Sequence, residues 1–182
     1  YVLGIVSLLA SQWTRISQEE PFMGRCGELD DEIGSRIVAT RLVQDIMKLC
    51  FLMERKYTPY IKWFGTEFKN LKISKKLTPT LLTILRSKDW KNREKYLCQA
   101  YRILAKKHNS LKITKPMHIE VRKFFSRPFL VIKADLFATE IKKKIRDPKV
   151  KSLPDIGSIN QFSDSTNVLE NDTRRFKVIY KR

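Results

Sequence analysis

The chain has 182 residues, 42% of them apolar, with ten Phe and three Trp, which is enough to bury a real core and excludes a disordered chain. Its formal net charge of +18 points to nucleic acid, phosphate-rich ligands or an acidic partner surface, although the excess is mostly dispersed lysine without an Arg-rich run. Three separated cysteines (Cys26, Cys50, Cys98), no Cys-x-x-Cys and only His108 and His118 beside them exclude a recognisable zinc ligand set.

Cys50 and Cys98 fall in helical apolar patterns, so they read as reduced core residues of a cytoplasmic protein. The opening apolar run, Tyr1 to Ala10, is too short to span a bilayer and lacks the charged start of a signal peptide. No membrane contact is expected. A chain that begins with Tyr inside an apolar run reads as the downstream part of a longer protein.

In chain order, residues 1–17 predict a helix with Leu9, Trp13 and Ile16 at helical spacing. Gln18 to Gly27, with Pro21, Gly24 and Gly27, reads as a connector. From Gly27 a long, proline-free stretch predicts the central helix, its acidic start (Glu28, Asp30, Asp31, Glu32) suited to the positive end of a helix dipole. Ile33, Ile37, Val38, Leu42, Val43, Ile46, Leu49, Cys50, Leu52 and Met53 cover most of its circumference, so it reads as buried. Its polar residues form two stripes: Arg41, Asp45, Lys48 and Arg55, and beside them Glu32, Arg36 and Thr40. Arg41 and Asp45 either pair at i, i+4 or line a charged strip facing a cleft, since buried charge needs a partner or a ligand.

Pro59 predicts a bend, followed by a helical piece from Tyr60 to about Leu71 with Trp63, Phe64 and Phe68 on one side. Thr78-Pro79 reads as a helix start, and Asp89 as the cap of a helix to about Leu111. In that helix Trp90, Leu97, Leu104 and Leu111 alternate with Glu94, Tyr101 and His108 as a bundle seam. Ile119–Phe125 and Ala134–Ile145 predict short helices, with Pro128–Ile132 a strand candidate. From Asp147 the chain turns polar, closing with an amphipathic piece, Arg174 to Tyr180. The expected fold is mostly α: a helical bundle over residues 1–150 around one long helix, and a polar C-terminal lobe over 151–182.

Most catalytic patterns are absent. Six dispersed glycines give neither a P-loop nor G-x-G-x-x-G, and there is no Gly-x-Ser-x-Gly elbow. Arg102 and His108 have the spacing of some helical ribonucleases but diverge around the helix. Nucleotidyl transfer needs a Gly-Ser turn upstream of paired carboxylates that hold Mg²⁺ against a triphosphate. Gly34-Ser35 is followed by Asp45-Ile46-Met47, which lacks the second acid. Gly157-Ser158 is followed by Glu170-Asn171-Asp172 in a polar stretch rather than a strand. Neither is a credible metal site.

The stretches GSRIVATRLVQDIMKLCFLMERKYTPYIKWFGTEF, HNSLKIT, FFSRPFLVI, IRDPKV and GSINQFSDSTNVL resemble the family known as domain of unknown function 4037. That resemblance implies a helical, substrate-side C-terminal half of a nucleotidyltransferase-like protein. The Gly-Ser and Asp-x-Asp elements, with Mg²⁺ and NTP, would then belong to an N-terminal domain acting as its partner. It draws attention to Arg36, Arg41, Asp45, Arg55, Tyr57, Tyr60, Lys62 and Trp63, to His108 and Asn109, to Arg127, and to Gln161, Asp164, Ser165 and Thr166. Arginines suit phosphate oxygens and Tyr or Trp stack on bases. The plainer readings are core packing for Tyr57, Tyr60 and Trp63, a helix cap for Asp164, Ser165 and Thr166, and a solvated charge for Lys62. Two further functions stay open: a non-catalytic basic module binding RNA or another polyanion, and an interaction bundle using an apolar face around Leu9 and Trp13.

Overall fold

Leu9, Trp13 and Ile16 are the buried stripe of the first helix, α1 (Val2–Glu19), and the rest of the molecule closes over that stripe. The computed structural model describes residues 2–151 and residue 161. After α1 come α2 (Phe22–Glu28), α3 (Glu32–Met53), α4 (Ile61–Phe68), α5 (Ser74–Arg86) and α6 (Trp90–Ser110). A two-residue antiparallel ladder, β1 (Arg122–Lys123) with β2 (Leu130–Val131), pairs Arg122 with Val131 and Lys123 with Leu130. Helices α7 (Ala134–Lys142) and α8 (Pro148–Lys151) follow. The fold is mostly α. Leu9 and Trp13 are core residues rather than an outward face, because α1 lies between α3 and α7. Trp13 stacks on Phe137 with ring centroids 4.3 Å apart.

The stretch Gln18–Gly27 is helical except at Glu20 and Pro21, not a connector. Its glycines permit contact rather than turning: a Cβ at Gly24 would strike Phe129, and one at Gly27 would strike the Trp90 ring. Small residues let α2 press directly onto α6 and the segment before β2. The central helix begins at Glu32, five residues after Gly27, where the proline-free stretch opens, because Asp31 caps it by accepting from the Gly34 N–H at 2.8 Å. Its first half is buried only at Ser35, Ala39 and Leu42, and its second half more fully. Ile33 and Ile37, 75% and 56% exposed, lie on its outer face. Arg55 falls past the helix end with φ 55°, so it leaves the stripe on which the spacing placed it.

Helix α5 starts at Ser74, ahead of Thr78-Pro79. Glu54 holds the approach to it, accepting from the Lys72 and Ile73 N–H groups at 2.9 Å each. Pro79 sits inside the helix and forfeits one backbone bond. Asp89 caps α6 through the Asn92 N–H at 2.9 Å, and Glu94, Leu97, Tyr101, Leu104 and His108 form its buried seam. Instead of a helix, Ile119–Phe125 contains strand β1. Glu94 accepts from Leu130 N–H at 2.8 Å and Glu20 from the Ile132 and Ala134 N–H groups at 2.7 and 3.0 Å, so two carboxylates anchor the hairpin and the start of α7.

Candidate functional site

Two places collect the polar residues that the sequence singles out. The first is a buried network between α1 and α3. Asp45 accepts from the Gln12 side-chain amide at 3.0 Å and from Arg15 at 3.3 Å. Glu19 accepts from Arg15 at 3.0 Å and from both sides of the Arg41 guanidinium, with Nε to Oε2 at 2.9 Å. Glu19, not Asp45, is the carboxylate Arg41 grips. Gln161 joins from the far end of the chain, donating to the Leu8 carbonyl at 2.9 Å and to Gln12 Oε1 at 3.1 Å. Burial pushes the Asp45 carboxyl up, against the pull of Arg15, Lys48 and Gln12. Gln12, Arg15 and Glu19 escaped the sequence reading, yet their spacing of three and four within an apolar helix was a readable signal of one polar stripe.

The second place is the junction of α3 and α4. Tyr57 is 91% exposed, Tyr60 73% and Trp63 54%, whereas Phe64 and Phe68 on the same helix are buried. The three rings are therefore not core aromatics. Helix α4 turns only its Phe64/Phe68 face inward, against Phe51, which leaves Trp63 outside. Around the rings stand exposed Arg55, Lys56 and Lys62. Lys62 Nζ lies 5.3 Å from the Trp63 ring centre, a cation–π distance, so it is engaged with a ring rather than merely solvated.

The remaining predicted residues sit apart, each with its own partners. Arg36 bonds to Glu32 at 2.8 Å and to the Lys88 carbonyl at 3.1 Å. Arg127 faces Glu28 at 3.7 Å. Asn109 clamps Met117 by donating to its carbonyl and accepting from its N–H, both at 2.8 Å. His108 is wholly buried against Trp13 and Phe137. The Thr114 hydroxyl already donates to the Lys115 carbonyl, so His108 Nε2–H donates to Thr114 at 3.0 Å and Nδ1 is left without a bond. Burial lowers His108 to about 4, which keeps it neutral. Arg102 instead faces Glu120 at 2.9 Å, away from the His108 seam. Asp164, Ser165 and Thr166, together with Gly157-Ser158, Glu170–Asp172 and the Arg174–Tyr180 piece, lie outside the described residues.

The described donors do not fit Mg²⁺ or another metal. No group of three or more His, Cys, Asp or Glu among them is gathered to hold one, and Glu19 and Asp45, two buried carboxylates that share Arg15, are already taken by Arg15 and Arg41. Burial raises the Cys50 thiol and pushes Cys98 up to about 12, the opposite of an activated thiolate. Among the described residues, no helix is long and apolar enough to cross a membrane.

The molecule so described is a mostly helical protein with a buried ion-pair network and an exposed aromatic–basic ridge. Residues 5–64 match the family model described as a domain of unknown function (DUF4037), a similarity that takes in α1, α2, α3 and the start of α4. The match contains the ridge and, apart from Gln161, the network. No curated protein and no solved structure matches the chain significantly.

Proposed function

We propose that this chain is the helical, substrate-side half of a nucleotidyltransferase-like protein, and that the ridge from Arg55 to Trp63 meets the nucleotide or nucleic-acid substrate. The observation that carries this is the exposure of Tyr57, Tyr60 and Trp63 together among cations. Aromatic rings left in water forgo the burial that makes them valuable in a core. Stacked on a base, each would contribute about 1–3 kcal/mol, with Arg55, Lys56 and Lys62 placed to meet phosphate oxygens. The carboxylates for Mg²⁺–NTP chemistry would be supplied by a domain carrying the Gly-Ser and Asp-x-Asp elements. This half would hold the substrate.

Arg36 and Arg41 keep a different role in this reading. Their guanidinium groups are taken up by Glu32 and Glu19, so they serve the packing of the bundle rather than the ridge. A second reading, a non-catalytic basic module for RNA or another polyanion, is favoured by the net charge of +18 and uses the same surface. Titration with a single-stranded oligonucleotide tests the shared element. Tyr60→Ala and Trp63→Ala should each weaken binding about 10-fold, as expected for the loss of one stacked base, and leave the melting temperature unchanged. Undiminished binding by both variants would contradict the proposal.

A further inference from the structure

Next to the ridge, on the outer face of α5, lies an open groove of about 580 Å³ lined by Lys69, Lys75, Thr78, Pro79, Thr83 and Arg86, with Ser74 and Leu82 at its floor and rim. No carboxylate is among its lining residues, and neither Lys69, Lys75 nor Arg86 takes part in an ion pair among the described residues. The nearby acids are committed elsewhere. Both oxygens of Glu54 accept backbone N–H groups of the α4–α5 connection, and Glu67 accepts from the Asn70 side-chain amide at 3.2 Å. From Glu54 to Arg86 the chain carries eight Lys and Arg against these two Glu, so here the positive charge is concentrated rather than scattered. The groove also connects physically to the ridge: Lys56, beside Tyr57, reaches the Asn70 carbonyl at 3.3 Å, and Lys69 precedes Asn70 in the wall of the groove.

From this geometry we infer that the ligand is a single-stranded polynucleotide, whose bases stack on the ridge and whose backbone continues along the α5 groove. The inference rests on the proposed reading of the ridge. A mononucleotide would occupy the rings and leave the groove cations without use. Lys75 to Arg86 spans about 16 Å of helix at 1.5 Å per residue, the length of about five stacked nucleotides at 3.4 Å each. The Thr78 and Thr83 hydroxyls add neutral hydrogen-bonding groups between the charges. The groove's cations and hydroxyls are spread along one face as a phosphate backbone requires, so recognition is of backbone and stacking, with little sequence preference.

The test compares ATP, a homopolymeric single strand of about ten nucleotides (longer than the groove at 3.4 Å per nucleotide) and polyglutamate. Each is titrated against the wild type, Trp63→Ala and the triple exchange Lys69→Gln, Lys75→Gln, Arg86→Gln. The triple variant should bind ATP as the wild type does and bind the oligonucleotide more weakly. Its plot of log affinity against log salt should flatten by about 2, at roughly 0.7 per phosphate contact on single strands. Trp63→Ala should weaken both ATP and the oligonucleotide. Loss with Trp63→Ala but an unchanged salt slope in the triple variant would overturn the extension into the groove and leave the ridge standing. No effect of Trp63→Ala on either nucleotide ligand would overturn the ridge itself. Polyglutamate binding as tight as the oligonucleotide would overturn the assignment to nucleic acid in favour of an acidic protein.

Discussion

Arg41 shows how a residue's partner decides its role. Seen in the sequence it had Asp45 one turn away; in the fold it grips Glu19 on α1, whose side chain is almost fully buried. Replacing it leaves that carboxylate with less compensation. Arg41→Ala should therefore cost about 1.5–3 kcal/mol of stability, the range for hydrogen bonds to charged groups, with oligonucleotide affinity retained. A stable variant with weakened binding would return Arg41 to the substrate surface. Two other buried groups set a pH signature. Burial lowers His108 from 6.5 to about 4, so between those values the unfolded chain binds a proton that the folded one does not, and stability rises with pH. Burial raises Glu20 from 4.5 to about 7, against the pull of the Ala134 and Ile132 N–H groups. The folded chain then holds a proton that the unfolded one has lost, and stability falls as pH rises through that window. The two slopes oppose each other in the wild type. Glu20→Gln removes the falling one, so its melting temperature should climb more steeply than the wild type's from about pH 4.5 to 6.5. Parallel profiles would contradict this assignment.

Among the elements, α2 carries the sharpest expectation. Gly27 faces the Trp90 ring with no room for a methyl group, so Gly27→Ala should destabilise by about 1–3 kcal/mol, as overpacking does, despite the better helix propensity of alanine. A stabilised variant, measured by urea denaturation, would show that the α2–α6 contact yields easily. The same glycines explain what was hidden in the sequence. Helix α6 was legible because its cap, Asp89, and its seven-residue repeat agree. Helix α2 was not, because Pro21, Gly24 and Gly27 carry the signature of a turn while serving close approach. Helix α5 was started too late, since Pro79 resembles a first-turn proline and the true start depends on Glu54, twenty residues before Ser74. Only with the helix begun at Ser74 do Lys75 and Arg86 share one face and line the groove. Strand β1 has only two paired residues, too few to leave a period in the sequence.

For the molecule as a whole, the residues that were easiest to name are divided between two jobs. Asp45, Arg41 and Gln161, with Gln12, Arg15 and Glu19, lock α1 to α3 inside the protein. Tyr57, Tyr60, Lys62 and Trp63 stand outside it. The aromatics were visible in the sequence but their exposure was not, because which face of an eight-residue helix turns inward depends on Phe51 of α3 receiving Phe64 and Phe68. The charge tells the same story. A net +18 has little meaning until the fold gathers part of it around the ridge and α5. Stacking of Trp63 on a nucleic-acid base is tested by following the three tryptophan indole N–H signals by NMR during titration with a single-stranded oligonucleotide, with Trp63→Ala identifying its own signal. Stacking should give a saturable shift of the Trp63 signal while that of Trp13, buried against Phe137 of α7, stays still. A Trp63 signal that does not move at saturating oligonucleotide would contradict it.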